Sequence, residues 1–443
     1  MKPINVGLLG IGTVGGGTFT VLTRNAAEIA RRAGRPIQIS VVADKHLELA
    51  RQVTGGHDYH GKLTDDAFAV VADPEVDIVV ELIGGCGIAK ELVLKAIENG
   101  KHVVTANKAL LAMHGNEIFA AAQKKGVMVA FEAAVAGGIP IIKALREGLT
   151  ANRIEWIAGI INGTTNFILS EMRDKGLAFD VVLKEAQRLG YAEADPTFDI
   201  EGIDAAHKLT IMSAIAFGIP MQFDRAYIEG ISQLDAVDIK YAEQLGYRIK
   251  LLGITKRVCV DGADGIELRV HPTLIPAKRL IANVEGAMNA VLVRGDAVGA
   301  TLYYGKGAGA EPTASAVIAD LVDITRMHTA DPEHRVPHLA FQPDQLADLK
   351  VLPISEVTTS YYLRMGVEDQ PGVLADITRI LADQQISIDA MIQREPAEGE
   401  QQTDIIMLTH RVREKQVDAA IARIEALPVV TGKIVRLRLE ELN

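Results

Sequence analysis

An aspartate and a lysine lie one helical turn apart in an apolar part of the sequence. Asp204 and Lys208 have the i, i+4 spacing that brings two side chains together on one face of a helix. The residues that follow, Leu209 to Ile215, are mostly apolar, which indicates that this helix is buried. A buried ammonium group must be paired or must lose its proton more easily, and a lysine in that state can act as a general acid or base. The alternative is a solvent-exposed ion pair with no chemical role.

A second lysine, Lys108, follows a strand-like segment and ends the motif Thr105-Ala106-Asn107-Lys108. Ligands bind at the carboxyl edge of open α/β sheets, so this ammonium group either reaches a ligand or is an ordinary exposed charge. Five acidic residues, among them Glu193 and Asp199, lie within the twelve positions that end at Asp204. This density of acids is unusual beside apolar sequence and marks the region as a candidate site.

A glycine-rich segment follows the first strand-like run and precedes a helical pattern. In Gly10-Ile11-Gly12-Thr13-Val14-Gly15 the glycines permit a tight turn and a close approach of the backbone to a pyrophosphate, and the helix N-terminus attracts phosphate. The motif alone also fits a structural turn, but the strand before it and the helix after it favour a dinucleotide site. The candidate cofactor contacts are Gly10, Gly12, Thr13, Val14 and Gly15.

The residues after the second strand leave the choice between NAD and NADP open. The acid that binds the ribose in such sites comes about 20 residues after the glycines, whereas Asp44 comes 29 residues after Gly15. Lys45 stands beside Asp44, and with Lys62 it could bind a 2′-phosphate, which would favour NADP. Both lysines are equally consistent with ordinary surface charge.

Two further turns have compositions that suit ligands. The segment Glu132–Pro140 is rich in small residues, and unpaired carbonyl groups in such a turn suit a hard monovalent cation, although a plain domain junction explains the composition as well. The segment Asp369–Leu374 starts a helix, whose N-terminal backbone donors can bind a carboxylate. A turn without a ligand is the alternative there.

The pattern of elements predicts three domains that would position these residues. Repeated strand and helix segments over residues 1–137 predict a doubly wound α/β sheet of the Rossmann type. Residues 138–327 mix helical and strand-like segments and predict an α+β substrate and dimerisation domain, with a helix over 312–326 that can pack back on the first domain. Residues 328–356 are rich in proline and predict a linker. Residues 357–443 follow the order βαββαβ, which predicts a ferredoxin-like domain.

Composition narrows the class of protein. The chain has 443 residues and a formal net charge of −11, which argues against nucleic acid or an anionic membrane as a partner. Two cysteines cannot build a disulfide framework. The sequence shows neither a secretory signal nor an apolar membrane span, so we expect a cytoplasmic enzyme.

Five motifs together closely resemble the homoserine dehydrogenase family. The resemblance covers the whole chain, and residues 357–443 look like the ACT regulatory domain of the longer, monofunctional members. The motifs are the segment 10–15, Val103-Val104-Thr105-Ala106-Asn107-Lys108, Asn162-Gly163-Thr164-Thr165-Asn166, Gly190-Tyr191-Ala192-Glu193-Ala194-Asp195-Pro196 and Asp204-Ala205-Ala206-His207-Lys208.

The resemblance implies NAD(P)-dependent interconversion of L-homoserine and L-aspartate 4-semialdehyde, on the path to threonine, methionine and isoleucine. It implies that Lys208 transfers the proton, that Lys108 is a second active-site lysine, and that Glu193, Asp199 and Asp204 contact the substrate. It also implies a bound Na⁺ or K⁺, an amino-acid effector such as threonine at the ACT domain, and a homodimer or homotetramer. The residues and the resemblance together give further candidates for three sites. The candidates for the cofactor are Ala43, Lys45, Lys62, Thr105, Lys108, Gly190 and Gly307. Those for the cation are the carbonyl groups of Glu132, Val135, Gly137 and Ile139, and those for the effector are Asp369, Gly372, Val373 and Leu374.

Two departures from the family pattern and two alternative functions remain at this point. The segment Ala43-Asp44-Lys45 stands where many members have an arginine, and Cys86-Gly87-Ile88-Ala89 lacks an expected proline. An acylating semialdehyde dehydrogenase would need Cys86 as a nucleophile beside a base. An amino-acid sensor would use the first domain only as a scaffold, but the two lysines and the acids argue against it.

Overall fold

The computed structural model describes residues 2–55, 59–332, 335–393 and 401–443. The chain forms two compact units. The first contains Met1–Gly163, Asp204–Asp224 and Ala287–Leu349, and the second contains Thr164–Ile203, Arg225–Gly286 and Lys350–Asn443.

In chain order the strands are β1 (Ile4–Leu9), β2 (Ile37–Ala43), β3 (Lys62–Thr64), β4 (Ile78–Glu81), β5 (His102–Thr105), β6 (Val129–Ala130), β7 (Ile154–Ile160), β8 (Tyr227–Ile228), β9 (Tyr247–Val260), β10 (Ala263–Pro276), β11 (Met288–Gly295), β12 (Gly299–Lys306), β13 (Thr358–Glu368), β14 (Ile388–Gln393), β15 (Gln402–Thr409), β16 (Val412–Arg413) and β17 (Val430–Leu439). The helices are α1 (Thr13–Arg24), α2 (Ala26–Ala33), α3 (Leu47–Thr54), α4 (Ala67–Ala72), α5 (Gly87–Glu98), α6 (Lys108–Lys125), α7 (Ile141–Lys143), α8 (Gly163–Lys175), α9 (Phe179–Arg188), α10 (Thr197–Ile200), α11 (Ile203–Phe217), α12 (Ala236–Gln244), α13 (Ala310–Met327), α14 (Val373–Asp383) and α15 (Glu414–Glu425).

A six-stranded parallel sheet in the order β3-β2-β1-β4-β5-β6 forms the centre of the first unit. All six residues of β1 are buried, as expected for a strand that is covered by helices on both faces. This strand order is that of a dinucleotide-binding doubly wound sheet, so the predicted Rossmann-type fold is confirmed.

Helix α13 packs along α1 in the core beside this sheet. Leu321 and Val317 of α13 belong to the same buried cluster as Leu8 of β1. The two helices approach closely where a Cβ on Gly17 would lie 2.5 Å from the carbonyl oxygen of Ala310. The first unit also contains the antiparallel strands β12-β11-β7.

The second unit contains the strands β9-β10-β17-β13-β15-β14 in that order. Strands β9 and β10 form one antiparallel hairpin along their whole length, and β17 and β8 both pair in parallel with the other edge of β10. The elements β13, α14, β14, β15, α15 and β17, with the two-residue β16 before α15, confirm the predicted ferredoxin-like order. Their helices cover the sheet through a buried core that includes Tyr361, Ile377 and Ile424.

Several elements match their sequence expectation and others do not. The buried helix predicted around Asp204 and Lys208 is α11, and the helix predicted over 312–326 is α13. Strands β7 and β9 were not expected, because their segments lack a clean alternation of apolar and polar residues. Within the described residues, none of the helices is long and apolar enough to cross a lipid bilayer.

Candidate active site

Two lysines share one buried carboxylate in the first unit. Nζ of Lys208 lies 2.7 Å from Oδ2 of Asp204, and Nζ of Lys108 lies 3.0 Å from Oδ1 of the same residue. Lys208 also donates to the carbonyl oxygen of Ile161 at 2.8 Å, and Nδ2 of Asn162 donates to Oδ2 of Asp204 at 2.9 Å. The exposed fraction of the side chain is 5% for Asp204, 11% for Lys208 and 33% for Lys108. The structure thus brings three of the predicted site residues together, and Lys108 is the most open of them.

The two lysines are fixed by two helices. Helix α11 carries Asp204 and Lys208 one turn apart, and every residue from Asp204 to Phe217 is buried. Lys108 is the first residue of α6, where the side chain of the N-cap residue Asn107 accepts a hydrogen bond from the helix backbone. A capped helix start and a buried helix are rigid, so the distances within the cluster are set by the fold.

A buried threonine and a buried glutamate hold the loop that leads to Lys108. Oγ1 of Thr105 donates to Oε2 of Glu81 at 2.7 Å and accepts the N–H of Asn107 at 3.0 Å. Glu81 ends β4 and also accepts the backbone N–H groups of residues 83 and 84. The hydroxyl of Thr105 therefore positions this loop, and the contact of Thr105 with the cofactor stays a prediction.

The lysines determine the charge of the carboxylate between them. Burial alone would raise the pKa of Asp204, but the charges of Lys208 and Lys108 and the hydrogen bonds from Lys208 and Asn162 hold that pKa well below its usual range. Burial lowers the pKa of the neighbouring His207 to about 4. At neutral pH the cluster therefore contains an ionised Asp204 and a neutral His207.

The glycine loop leaves open space at the start of α1. A Cβ on Gly15 would lie 2.0 Å from the carbonyl oxygen of Gly10, so this position requires glycine, whereas a Cβ on Gly12 would meet no described atom within 4 Å. Gly12 is the N-cap of α1, and among the described residues no side chain caps this helix start. Backbone N–H groups at a helix start and an open approach above them fit a pyrophosphate.

The end of β2 supports the glycine loop. The carbonyl group of Ala43 accepts the N–H of Gly10 at 2.8 Å, and Oδ2 of Asp44 accepts the N–H of Ile11 at 2.8 Å. The carboxylate of Asp44 is thus engaged with the loop backbone. This contact explains why an acid stands here although its spacing departs from the usual ribose-binding position.

The two predicted phosphate-binding lysines differ in their position on the sheet. Lys45 is exposed and lies two residues after the end of β2, so it starts from the carboxyl edge of the sheet. Lys62 is also exposed but is the first residue of β3, where it pairs with Val41. Lys62 would have to reach along its strand to the edge, so Lys45 is the better placed of the two.

The predicted cation turn is buried and has an unusual backbone. Ala136 and Gly137 have φ values of 54° and 48°, and a left-handed conformation costs about 1 kcal/mol or more at the non-glycine residue. The carbonyl of Ile139 accepts the N–H of Ile141 at 2.8 Å, and that of Glu132 accepts the N–H of residue 135 at 3.4 Å. Among the described residues nothing donates to the carbonyl oxygens of Val135 and Gly137.

Carbonyl oxygens without donors in a buried turn suit a hard monovalent cation. Burial raises the pKa of the Glu132 carboxyl group to about 7, so nearby positive charge would be favourable there. The described residues contain no group of three His, Cys, Asp or Glu side chains that could hold a metal ion. A cation in this part of the chain would therefore be bound by backbone oxygens.

An unsatisfied asparagine lies beside this turn. A Cβ on Gly137 would lie 2.6 Å from the carbonyl oxygen of Gly307, and a Cβ on Gly307 would lie 1.9 Å from Nδ2 of Asn289. The side chain of Asn289 is buried, and within the described part of the chain neither its Nδ2 nor its Oδ1 has a hydrogen-bond partner. Buried amide groups are normally paired. A polar group bound near Gly307, such as part of a cofactor, would provide the hydrogen bonds that the amide group of Asn289 lacks.

The remaining predicted substrate and cofactor residues belong to the second unit. Oγ1 of Thr164 lies 2.6 Å from the carbonyl oxygen of Tyr191 and 3.2 Å from Oδ2 of Asp199. Glu193 is exposed, and Gly190 has a φ of 77°, which favours glycine at this position. Asp199 is thus held against the segment that contains Glu193, and their contact with a substrate stays a prediction.

The predicted effector turn offers backbone donors and one exposed acid. Gly372 is the N-cap of α14 with a φ of 99°, and Asp369 is exposed. The side chains of Val373 and Leu374 pack in or against the core of the ferredoxin-like domain. The side chain of Val373 is therefore not available to an effector, and its contact with one stays a prediction for the backbone.

The thiol of Cys86 is a poor nucleophile in this structure. Burial and the charge of Glu81 raise the pKa of the Cys86 thiol. A raised pKa leaves less thiolate at neutral pH, and the thiolate is the reactive form. This environment does not support the acylating dehydrogenase hypothesis.

Sequence reasoning assigned no role to three residues that the structure places beside these sites. Asn162 lies in one of the motifs, but its contact with Asp204 spans 42 positions and no spacing rule predicts it. Glu81 ends a strand-like run, and an acid in such an apolar run is a signal that could have been followed. Asn289 occupies a strand in a region without clear periodicity, and the sequence offers no signal for it.

A Rossmann-type sheet with an open glycine loop and a pair of lysines defines a nicotinamide-dependent oxidoreductase. Family models described as homoserine dehydrogenase, as its NAD binding domain and as the ACT domain match residues 140–322, 10–132 and 361–429. The chain belongs to the homoserine dehydrogenase family, whose members are NAD(P)-dependent oxidoreductases that act on the hydroxyl group of homoserine.

Individual relatives agree with this assignment. The chain is 63% identical to a homoserine dehydrogenase of Pseudomonas aeruginosa over 443 residues, which is 100% of both chains. A crystal structure of a homoserine dehydrogenase from Thiobacillus denitrificans has 73% identity and a TM-score of 0.95, and the match covers 100% of this chain and 99% of that one. A hyperthermophilic archaeal homoserine dehydrogenase mutant in complex with NADPH has 25% identity and a TM-score of 0.62, over 73% of this chain and 98% of that one. The predicted family is confirmed, and both alternative functions are wrong.

Proposed function

We propose that this chain interconverts L-homoserine and L-aspartate 4-semialdehyde, and that Lys208 moves the proton while Lys108 stabilises the reacting oxygen. The observation that carries this proposal is the contact of both ammonium groups with one buried carboxylate, Asp204. Such an arrangement places two positive charges side by side in a largely water-excluded site.

The charge requirements of the reaction match this arrangement. The nicotinamide cofactor supplies or accepts the hydride. When an aldehyde is reduced, negative charge develops on its oxygen, and two ammonium groups can stabilise that charge while one of them delivers the proton. In the oxidising direction the same lysine, as the neutral amine, accepts the hydroxyl proton and becomes the ammonium group again. Lys108, the more exposed of the two lysines, is the one that a substrate reaches first.

We assign Asp204 a role toward the lysines in addition to its predicted contact with the substrate. Its oxygens bind Lys108, Lys208 and Asn162, so it fixes the orientation of both ammonium groups. Glu193 and Asp199 are then the carboxylates proposed to hold the α-ammonium group of homoserine. A charge match of this kind orients the substrate for hydride transfer.

The cofactor contacts follow the glycine loop and its surroundings. The loop 10–15 would hold the pyrophosphate, and the candidate residues Ala43, Thr105, Gly190 and Gly307 would contact the rest of the cofactor. The exposed Lys45 at the carboxyl edge supports NADP, with Lys62 as a more distant second charge. A Na⁺ or K⁺ on the carbonyls of residues 132, 135, 137 and 139 would brace the turn against Gly307.

The C-terminal domain is proposed to regulate the enzyme. Threonine is the proposed effector, bound at Asp369–Leu374. Residues 357–443 would form the regulatory domain. The rest of the chain would divide into a cofactor domain at 1–137, a catalytic and dimerisation domain at 138–327 and a linker at 328–356. A homodimer or homotetramer and a cytoplasmic location stay predictions of the sequence. The product would enter the synthesis of threonine, methionine and isoleucine.

A spectrophotometric assay tests the proposed function. Purified enzyme is given homoserine with either NAD or NADP, with and without threonine, and the absorbance of the reduced cofactor is followed. We expect turnover with homoserine, and Lys45→Ala should raise the KM for NADP but not that for NAD. Cys86→Ser should leave homoserine oxidation unchanged. No reduced cofactor with either dinucleotide would contradict the proposal, and threonine inhibition that survives deletion of residues 357–443 would contradict the regulatory part.

A further inference from the structure

The last strand of the ACT domain holds the segment after β8 through an ion pair between a buried arginine and a partly exposed glutamate. NH1 of Arg438 donates to Oε2 of Glu229 at 2.9 Å, and the hydroxyl of Tyr227 donates to the same oxygen at 2.6 Å. NH2 of Arg438 lies 3.1 Å from that hydroxyl, and Nε donates to Glu414 of α15 at 2.7 Å. The side chain of Arg438 has an exposed fraction of 0%. Because a buried guanidinium is costly without its partners, Arg438 ties the position of Glu229 to β17 and α15.

The segment after β8 in turn contacts the backbone next to Asp199. The N–H of Ile231 donates to the carbonyl oxygen of Ile200 at 2.8 Å, and a Cβ on Gly230 would lie 2.5 Å from the same oxygen. Asp199 directly precedes Ile200 in the chain. A short series of contacts therefore leads from Arg438 through residues 229–231 to the acid proposed to bind homoserine.

Free space beside these contacts allows them to move. A cavity of about 700 Å³ is lined by Glu201, Ser232, Pro272 and residues 433–437, among others. It lies where β8 and β17 pair with neighbouring stretches of β10, and Pro272 between those stretches has no N–H to donate to either strand. A close-packed interior resists displacement. The cavity lets the segment 228–234 shift when its ion pair is broken.

We propose that Glu229 is a positioning residue for homoserine binding. Paired with Arg438, it holds residues 199–202 in place, and a displacement of β17 in the ACT domain releases them. This gives the ACT domain a mechanical connection to the substrate-binding acids without any contact between Glu229 and the substrate. The inference rests on the proposed function, since it requires Asp199 to bind homoserine.

The chain offers a matched control for this ion pair. Asp238 on α12 accepts hydrogen bonds from the hydroxyl of Tyr362 and from Arg364, and its side chain has an exposed fraction of 0%. Like Glu229 it thus pairs with one tyrosine and one arginine, and both of its partners lie on β13 of the ACT domain. In the described part of the chain the side chain of Asp238 bonds to β13 and to none of the residues 199–202. A general loosening of the ACT domain would affect the Asp238 variant as much as the Glu229 variant.

The test compares full-length Glu229→Gln and Asp238→Asn with the unsubstituted enzyme. Steady-state kinetics gives kcat and the two KM values, and hydrogen exchange read by mass spectrometry follows the peptide that covers 197–203. We expect Glu229→Gln alone to raise the KM for homoserine about tenfold with little change in kcat, the pattern of lost ground-state binding. The KM for the cofactor should not change, and exchange at 197–203 should become faster.

Three results would overturn the inference. Unchanged exchange at 197–203 in Glu229→Gln would show that the ion pair does not hold this segment, and equal effects in both variants would show only general loosening. Faster exchange with an unchanged KM would break the link to homoserine binding. In each of these cases the variant Asp199→Asn shows which of the two proposals is wrong. If its KM for homoserine is unchanged, the proposed role of Asp199 in substrate binding is wrong. If that KM is raised, only the proposed positioning by Glu229 is wrong.

Discussion

Lys108 and Lys208 contact different oxygens of the same buried carboxylate, although 100 positions separate them in the chain. One lysine begins a helix at the carboxyl edge of the parallel sheet, and the other lies within a buried helix. Asp204 is the group that joins them. The account of catalysis therefore depends on this carboxylate as much as on the two lysines.

The first prediction concerns Asp204. Asp204→Asn keeps the shape of the side chain but removes the negative charge between the two ammonium groups, so we expect kcat to fall about 100-fold or more. Steady-state kinetics with homoserine and circular dichroism of the folded protein measure this. Asp174→Asn, a change at an exposed surface acid, serves as the control. Normal kcat in Asp204→Asn would show that the shared carboxylate has no part in catalysis.

The second prediction separates two glycines of the cofactor loop. Gly12→Ala adds a methyl group in open space, so the fold should be unaffected while cofactor binding weakens about tenfold, since the methyl group occupies the approach to the helix start. Gly15→Ala forces a methyl group against the carbonyl of Gly10 and should lower the Tm. Fluorescence titration with NADPH and thermal unfolding measure the two effects. Equal loss of Tm in both variants would refute the distinction.

The third prediction concerns the cation turn. Gly137→Ala places a Cβ 2.6 Å from the carbonyl oxygen of Gly307 in a left-handed conformation, so it should distort the turn. We expect activity that depends on Na⁺ or K⁺ in the unsubstituted enzyme and loses this dependence in the variant. Titrations of activity with each salt against a choline salt measure it. Gly148→Ala is the control because a Cβ there meets no described atom within 4 Å. Activity that is indifferent to both cations in the unsubstituted enzyme would contradict the site.

The fourth prediction concerns acid stability. Burial alone would raise the pKa of Glu440, but Arg269 and Lys256 lower it to about 2. An unfolded glutamate has a pKa of about 4.3, so the folded carboxylate stabilises the protein above about pH 4.3, and this contribution is lost as the pH falls toward 2. Glu440→Gln leaves the buried Arg269 without that charge and should cost about 3 kcal/mol at pH 7.

Urea unfolding of both proteins over this pH range measures the effect. The difference in unfolding free energy between the two proteins should be large at pH 7 and shrink as the pH falls from about 4.3 toward 2, because the unfolded glutamate then binds a proton while the native carboxylate stays ionised. A difference that stays constant with pH would show that the substitution acts through packing.

The spacing of apolar residues along the sequence predicted those helices and strands that have a regular apolar face. The alternation of strands and helices identified the parallel sheet, and the i, i+4 spacing of Asp204 and Lys208 identified one contact of the site correctly. Strand β9 escaped prediction because it buries polar side chains such as Lys250 and Thr255, which conceal the apolar pattern of a core strand.

Long-range contacts explain the rest of the difference. The meeting of Lys108 with Asp204 depends on tertiary structure, and no spacing in the sequence encodes it. The partners of the buried Arg438 likewise lie far away in the sequence, with Glu229 directly after β8 and Glu414 in α15. For the lysine pair the resemblance to a known family supplied what periodicity could not, whereas the ion pair of Arg438 became visible only in the structure.

The substitution Lys208→Ala tests the central claim most directly. Hydride transfer from homoserine and binding of NADPH are measured on the same preparation, with Lys124→Ala on the exposed surface of α6 as the control. The account predicts that Lys208→Ala loses turnover by about 1,000-fold or more while NADPH binds as before, because proton transfer alone is removed. Turnover close to that of the unsubstituted enzyme, or an equal loss of turnover and NADPH binding, would contradict it.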